Sequence, residues 1–425
     1  ETNKRELINW TRGKIFDKNA SGETQHTEQF YKITQGTAGA ASCVQLRGEY
    51  LFVAEGKGGF RAYDVASIAN KGVSERIITA PFSPLGHDTQ VKSSNATCVA
   101  LATTQPISYA RNRYITENLP QNMEQKMHEI YRYAVVSDSV EGLILVDIDT
   151  LADGEFRNNF FKRAVTFNPD NALKGARHVT LAGSIAYVTT DYGLAVVDLT
   201  DPLKPVLTAQ MPLNDARASA VQFRYVWVTD ADGLKLFDIT DMRQPIARPE
   251  ATVPLANARK LYLARTYAYV AGKQEGLVII NITKPLAPRI LVKETFGGTM
   301  NDVEDVVIAS TNASAIGYVA DGRNGLKVLQ ITSPESQRNF YGFAPEPRPQ
   351  LIAWATTPSA ALSVSKGLDR DRGVDETGGQ MAVFGRVGSR PFTRPEMERL
   401  FKLKGTGALY KVSDTPSWDD YLARP

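Results

Sequence analysis

The most reactive side chains of the sequence recur at one position of a repeated segment. Cys43 is third in ASCVQL, Cys98 is third in ATCVAL, and His178 is third in ARHVTL. Asp305 holds the same place in VEDVVI. Two thiolates and an imidazole form a ligand set that zinc accepts. These four residues are therefore the candidates for a metal site or an enzymatic site where the repeats meet.

The two cysteines have three interpretations. Equivalent residues in a ring of repeats point the same way, so each meets the back of the next repeat rather than its own counterpart. We therefore expect Cys43 and Cys98 to be small, buried core residues. A disulfide and a shared metal ion remain the alternatives. The sequence has neither Cys-x-x-Cys nor Cys-x-x-Cys-His, so it encodes no zinc ribbon and no covalent c-type haem.

A second candidate site is the acidic stretch DRDRGVDETGG. Its carboxylates surround a glycine and suit the oxygen ligation that Ca²⁺ prefers, although the stretch does not match an EF-hand. Arg370 and Arg372 partly neutralise it, which favours a solvated, salt-bridged hairpin loop over a calcium site. We predict no other cofactor. The possible calcium ligands are Asp369, Asp371, Asp375 and Glu376.

A third group of acidic residues follows a series of apolar runs. A catalytic role would require one special carboxylate, whereas here the same residue recurs from repeat to repeat. We therefore predict turns in which the side chain accepts backbone N–H bonds. The residues are Asp64, Asp147, Asp198 and Asp238, with Asn281 and Gln330 at the corresponding later positions.

These side chains must be positioned by the repeat itself. Segments such as GLILVDIDT, GLAVVDLTDPLKP and GLKLFDITDMRQP recur along the chain, and each is preceded by two further short apolar segments. Seven units align, most of them roughly 40 to 50 residues long, which suits four short strands per unit. Four-stranded units repeated radially form a β-propeller. The sequence predicts an all-β, seven-bladed propeller, with a linear solenoid as the alternative.

The unit Gly-Leu-x-Val-Val-Asp-Leu-Thr-Asp-Pro-x-x-Pro, quoted from Gly193 onward, resembles the LVIVD repeat of bacterial and archaeal cell-surface proteins. The resemblance covers roughly residues 39 to 390 and implies a propeller fold. Members of that family are mostly exported, so it also implies an extracellular, cell-surface or periplasmic location. The seventh unit departs most from the pattern, because Phe384-Gly385 stands where the others have a hydrophobe and an aspartate.

Three segments lie outside the regular repeats. Residues 1–38 form an extension in which FYKIT is a possible ring-closing strand. Residues 101–131 are an insertion, for which we predict a short helix after Pro120. Residues 391–425 carry a capping box, Thr393 with Glu396, and predict a helix followed by a docking tail. The propeller itself is predicted over residues 39–390.

The bulk composition excludes several classes of protein. The net charge of +3 over 425 residues argues against a dedicated nucleic-acid partner. No window approaches the roughly 18 uninterrupted apolar residues of a membrane span. The chain begins at Glu1 without a signal-peptide pattern, so we expect a fragment or a processed product.

The function that we expect is a non-enzymatic interaction or scaffold module, whose partners are other subunits or the rest of a longer precursor. One alternative is an accessory subunit or domain of an extracellular electron-transfer assembly with multihaem cytochromes. A second alternative is an enzyme or metal site in the propeller channel. The few candidate catalytic groups and the long polar ends of the chain favour the interaction module.

Overall fold

The computed structural model describes most of the repeat region. The chain divides into one unit, Glu1–Asp369, and a second unit, Arg370–Pro425. The described residues contain strands and short 3-10 turns but no α-helix. No helix among them is long and apolar enough to cross a membrane. The described residues are 9–18, 24–33, 39–47, 50–64, 90–102, 129–151, 161–310, 315–333, 345–365, 386–387, 390–391 and 406.

The chain begins with a hairpin of two long strands. β1 (Asn9–Lys18) pairs with β2 (Thr24–Ile33) in an antiparallel two-stranded sheet. Phe30 to Ile33, from the possible ring-closing segment, lie in β2 and pair with β1. A ring-closing role for this segment stays a prediction.

Blades 1 to 3 follow, each built from four consecutive antiparallel strands. Blade 1 contains β3 (Cys43–Arg47), β4 (Tyr50–Ala54), β5 (Phe60–Asp64) and β6 (Gln90–Val91). Blade 2 contains β7 (Ala96–Leu101), β8 (Tyr133–Asp138), β9 (Gly142–Asp147) and β10 (Lys162–Phe167). Blade 3 contains β11 (His178–Ala182), β12 (Ile185–Thr189), β13 (Gly193–Asp198) and β14 (Val206–Pro212).

Blades 4 to 6 continue the same order, and the outer edge of blade 4 is divided into two short strands. Blade 4 contains β15 (Ala218–Gln222), β16 (Tyr225–Asp230), β17 (Gly233–Asp238), β18 (Ile246–Ala247) and β19 (Val253–Pro254). Blade 5 contains β20 (Leu261–Ala264), β21 (Tyr267–Ala271), β22 (Leu277–Asn281) and β23 (Arg289–Glu294). Blade 6 contains β24 (Asp305–Ser310), β25 (Ala315–Ala320), β26 (Leu326–Thr332) and β27 (Gln350–Ala355).

The prediction of an all-β propeller with four-stranded blades is confirmed, but the count of seven is not. The described residues form six blades, and most residues of the expected seventh lie outside them. Of that expected blade, residues 361–365 are described, and Ala361 pairs with Gly322 of blade 6. The second unit shows a short antiparallel pair, β28 (Arg386–Val387) with β29 (Arg390–Pro391).

Two predicted elements can be followed only in part. From the helical insertion, residues 101–102 and a 3-10 turn at Glu129–Arg132 are described. Most of the predicted C-terminal helix and tail lies outside the described residues. Three further 3-10 turns connect strands of the propeller, at Asp149–Leu151, Pro169–Asn171 and Pro249–Ala251.

The hydrophobic core lies between blades rather than at one centre. Five clusters of buried side chains fill the five junctions from blade 1 to blade 6. All residues of β8, β12 and β21 are buried, because each central strand packs on a neighbouring blade with both faces. The largest fully buried side chains include Trp227 and Tyr187, at equivalent places in β16 and β12.

A β-bulge recurs where the outer strand meets the third strand. The pairing register shifts in blades 2, 3, 5 and 6, for example between Val196 and Val197 of blade 3. In blade 4 the 3-10 turn Pro249–Ala251 interrupts the outer strand instead. The bulge bends each outer strand and increases its twist.

Candidate functional site

The inner strands β3, β7, β11, β15, β20 and β24 bring one repeat position to the channel side of the blades. Inner strands of successive blades contact one another from β3 through β24. The predicted candidates Cys43, Cys98, His178 and Asp305 all lie at the start of, or within, these strands. The structure divides them into three separate arrangements: a disulfide, an isolated histidine and a network around Asp305.

Cys43 and Cys98 are bonded to each other in a disulfide, with their Cα atoms 4.7 Å apart. Both side chains are buried, as expected, at 6% and 1% exposure. The expectation that they are free core thiols was therefore wrong. The cross-link joins the inner strands of blades 1 and 2.

The two cysteines bond although they occupy equivalent places in their blades: Cys43 lies opposite Ala54 and Cys98 lies opposite Ser137. The register of β7 on β8 shifts between Ala96 and Cys98, which inserts Thr97 as an extra residue. The Thr97 hydroxyl donates a hydrogen bond to the Ala176 carbonyl of the link into blade 3, 2.8 Å away. Cys98 lies within the same apolar cluster as Cys43.

His178 stands apart from the disulfide. Its Nδ1 accepts a hydrogen bond from the backbone N–H of Ser219 in blade 4, at 3.3 Å. Burial and the nearby positive charge of Lys260 lower the pKa of His178 to about 3. The imidazole is therefore neutral near pH 7, and one ring nitrogen is already occupied as an acceptor.

Asp305 belongs to a hydrogen-bonded ion pair that the sequence analysis did not identify. Its Oδ2 lies 3.2 Å from Lys260 Nζ, and it accepts a hydrogen bond from the Ser363 hydroxyl at 2.8 Å. Lys260 Nζ also donates to Ser363 Oγ at 2.9 Å and to the Ser42 carbonyl at 3.1 Å. We call Lys260, Asp305, Ser363 and the carbonyl of Ser42 the channel clasp.

A sequence signal for the clasp did exist. Lys260 stands third in ARKLYL, the same repeat position as Cys43 and His178. Ser363 reaches this position when the seventh inner strand is aligned from Ala361. The bridge between Gly322 and Ala361 sets this register, as the bridge between Gly56 and Ala96 does for blade 2.

The clasp has the composition of a serine–lysine catalytic pair but not its chemistry. A lysine acting as general base must accept the serine proton at its nitrogen, whereas here the Ser363 hydroxyl donates to Asp305. All three ammonium protons have acceptors within the clasp. The arrangement can hold blades together, and it does not place Lys260 to take the proton of Ser363.

The turn-forming role of the repeated aspartates is confirmed. Asp147, Asp198, Asp238 and Asn281 each accept a hydrogen bond from the backbone N–H two residues further on, at 2.8–2.9 Å. The side chain of Asp64 lies outside the described residues. These carboxylates shape the exit of the third strand and contact no common centre.

The possible calcium ligands are not placed by the structure. Asp369, Asp371, Asp375 and Glu376 lie outside the described residues, so calcium binding there stays a prediction. Within the described part of the chain, no group of three or more His, Cys, Asp and Glu side chains is arranged to hold a metal ion.

An open groove of about 820 Å³ lies on the outside of the propeller, at blades 2 and 3. Its size lies within the range typical of binding pockets. Tyr192 and Val206 line it with 54% and 55% of their surface exposed. Asp170 and Asn171 in its wall adopt left-handed backbone, with φ of 48° and 59°. The groove residues are Phe167, Pro169, Asp170, Asn171, Ala172, Lys174, Asp191, Tyr192, Pro205, Val206, Leu207 and Gln210.

Comparison with known protein families agrees with the repeat. The model of the LVIVD repeat matches residues 38–71, 175–211 and 257–292, so the chain carries LVIVD repeats, as its motif indicates. Comparison with curated proteins found no match.

Two solved structures are similar to the chain at low identity. The β-propeller domain of Cps50 (Swd1) from Myceliophteria thermophila is 12% identical, with a TM-score of 0.47 over 78% of this chain and 92% of that domain. The computationally designed Ika8 protein is 11% identical, with a TM-score of 0.41 over 75% of this chain and 80% of that protein.

Proposed function

We propose that this propeller of LVIVD repeats is a non-enzymatic protein-interaction module that works outside the cytoplasm, at the cell surface or in the periplasm. One contrast carries the proposal. The reactive side chains of the channel are engaged in a disulfide or in hydrogen bonds, whereas apolar side chains line an open groove on the outside.

The candidate residues that the structure describes in the channel are already engaged with partners. The two thiols are consumed in the disulfide, and the Ser363 hydroxyl donates to Asp305. His178 is neutral, and its Nδ1 is occupied by Ser219. A nucleophile needs an adjacent base that can accept its proton, and Lys260 instead donates a hydrogen bond to the Ser363 oxygen. Binding at the surface is therefore a better use of this fold than catalysis.

The groove has the features of a protein-binding surface. Tyr192 and Val206 offer an aromatic and an aliphatic side chain, while Asp170 and Lys174 supply charge at its margins. Exposed aromatic side chains are typical anchors of protein interfaces, because they bury a large area at little entropic cost. The groove is built on strands and short turns, so its shape is defined before a partner binds.

The disulfide supports a location outside the cytoplasm. Disulfides persist in secreted, periplasmic and surface proteins, whereas cytosolic reductants keep most thiols reduced. The bond joins two buried residues of the propeller core, so it belongs to the folded structure.

Cross-linking on intact cells tests both parts of the proposal. In the native host, a membrane-impermeant cross-linker should couple the chain to a protein partner. Replacing Tyr192 and Val206 together by serine should reduce the yield of cross-linked product at least fivefold. The matched control is Phe223→Ser, because Phe223 is 86% exposed and lies outside the groove.

The outcomes separate location from interaction. A chain that the impermeant reagent cannot label contradicts the proposed location. A labelled chain that gives no discrete product contradicts the interaction module. Equal yields from the groove variant and the Phe223 variant would show that the partner contacts a surface other than the groove.

We also propose that the ring holds a seventh blade whose inner strand includes residues 361–365. Ala361 pairs with Gly322 as Ala96 pairs with Gly56, which is the junction between one blade and the next. The Ser365 hydroxyl accepts a hydrogen bond from Leu46 N–H at 2.7 Å. In the same way, the Gln45 side chain accepts one from Leu101 N–H at 2.9 Å in the next blade.

An uncovered aromatic side chain on blade 6 supports the same proposal. Tyr187, Trp227 and Tyr269 occupy equivalent places in blades 3 to 5 and are at most 3% exposed. Tyr318 occupies this place in blade 6 and is 37% exposed. A further blade formed after residue 365 would cover Tyr318 as the neighbouring blades cover the other three.

Thiol labelling tests the seventh blade. The chain has only two cysteines, both in the disulfide, so an introduced cysteine is the single reactive thiol. We expect Tyr318→Cys to react with a maleimide at least tenfold more slowly than Phe223→Cys in the folded protein. Similar rates at the two positions would contradict a covering blade.

A further inference from the structure

A propeller must be held closed where its last blade meets its first. In the described residues, every blade is built from strands that are consecutive in the chain, so no blade combines strands from the two ends. We call the junction between β3 of blade 1 and residues 361–365, which follow blade 6, the seam. The described contacts at the seam are made near the channel, between β3 and residues 361–365 and through Lys260.

Two backbone groups of β3 receive partners across the seam. Val44 N–H donates to Ser363 Oγ at 3.3 Å, and Leu46 N–H donates to Ser365 Oγ at 2.7 Å. Both donors lie on the free edge of an inner strand, where an unpaired N–H would be costly. The two serines are two residues apart, as the two donors of β3 are, so each serine faces one donor.

The channel clasp adds a charge to these contacts. Lys260 in the link before β20 reaches Asp305 of blade 6, Ser363 of the following segment and the Ser42 carbonyl ahead of β3. Asp305 Oδ2 also accepts the backbone N–H of Val364 at 3.1 Å. The side chains of Lys260 and Asp305 are only 20% and 9% exposed, so the ion pair is largely shielded from water.

We propose that the channel clasp closes the ring, because Lys260 links blade 1 to blades 5 and 6 at the seam. The disulfide complements it from the other side. Cys43 follows Ser42 directly and ties blade 1 to blade 2. Blade 1 is therefore held by a covalent bond on one flank and by the hydrogen bond of Lys260 to the Ser42 carbonyl on the other.

Removing the lysine takes a partner away from two groups. In Lys260→Met, the Asp305 carboxylate loses its counter-ion and the Ser42 carbonyl loses its donor, both in a poorly hydrated place. The seam should then open locally more often than the other blade junctions, because its remaining described contacts are a few hydrogen bonds. The effect should be confined to the elements that the clasp joins.

Hydrogen–deuterium exchange of the full chain measures this local opening. In Lys260→Met we expect peptides covering β3 and residues 361–365 to exchange at least tenfold faster than in wild type. A peptide covering β13 in blade 3 should be unchanged. The matched control is Lys235→Met: Lys235 is 21% exposed and lies 3.9 Å from Asp230, so its ion pair stays within blade 4.

The pattern of exchange decides the proposal. Unchanged exchange in β3, or an equal acceleration across all blades, would overturn the clasp as a closing device. If Lys260→Met fails to fold, Ser363→Ala serves as the milder variant, since it removes one acceptor and leaves the charges in place. It should speed exchange of β3 several-fold, and no change there would equally contradict the proposal.

Discussion

Replacing Cys43 and Cys98 together by alanine lowers the free energy of unfolding by about 4 kcal/mol. The disulfide joins residues 55 positions apart, and closing a loop of that length restricts the unfolded chain by about 4 kcal/mol in the chain-entropy model. Two alanines also leave small cavities at buried sites, which adds to the loss. Denaturant unfolding followed by tryptophan fluorescence gives the difference directly.

Reduced wild-type protein is the control for the cavity effect. It keeps both sulfur atoms and lacks only the bond, so its loss of stability measures the cross-link alone. The sulfurs are buried, and reduction therefore has to be carried out in denaturant before refolding. A reduced protein as stable as the oxidised one would contradict a stabilising cross-link.

Acid should destabilise the propeller through His178. The unfolded imidazole titrates near pH 6.5, while burial and Lys260 lower the folded pKa to about 3. Between these values the unfolded state binds a proton that the folded state does not, so stability falls as the pH falls. The loss is about 1.4 kcal/mol per pH unit, or about 2 kcal/mol between pH 7 and pH 5.

His178→Gln isolates this contribution. Glutamine keeps an acceptor for Ser219 N–H but does not titrate, while every carboxylate of the chain titrates in both proteins. The free energy of unfolding of the wild type, relative to that of His178→Gln, should therefore fall by about 2 kcal/mol from pH 7 to pH 5. Parallel pH profiles for the two proteins would show that His178 does not titrate at a lowered pKa.

The repeat made the fold predictable. Segments such as the one from Gly193 combine a turn, an apolar run and an aspartate, and they recur at a spacing that suits four strands. The role of Asp198 in a turn followed from the same regularity, because a residue that recurs from unit to unit is expected to have a structural role in each unit. Strand order and turn chemistry are local properties, and a single repeat already encodes them.

What could not be predicted depends on contacts between different repeat units. The disulfide joins the same repeat position of two adjacent blades, and nothing in ASCVQL or ATCVAL distinguishes a bonded cysteine from a free one. The partnership of Lys260 with Ser363 requires the seventh inner strand to start at Ala361, which only the pairing with Gly322 sets. Such contacts join residues about a hundred positions apart, so no local pattern announces them.

The bulges of the outer strands have a consequence for crowded conditions. An outer strand with regular pleat would offer its free backbone groups to any neighbouring molecule as a template for continued pairing. Here the outer strands of blades 2, 3, 5 and 6 contain an extra residue, and that of blade 4 is interrupted by a 3-10 turn. The regular alternation of backbone groups is therefore broken at the outer edge of each of these blades. Copies packed side by side would therefore meet an interrupted edge at each of these five blades, which disfavours fibre growth through their outer strands.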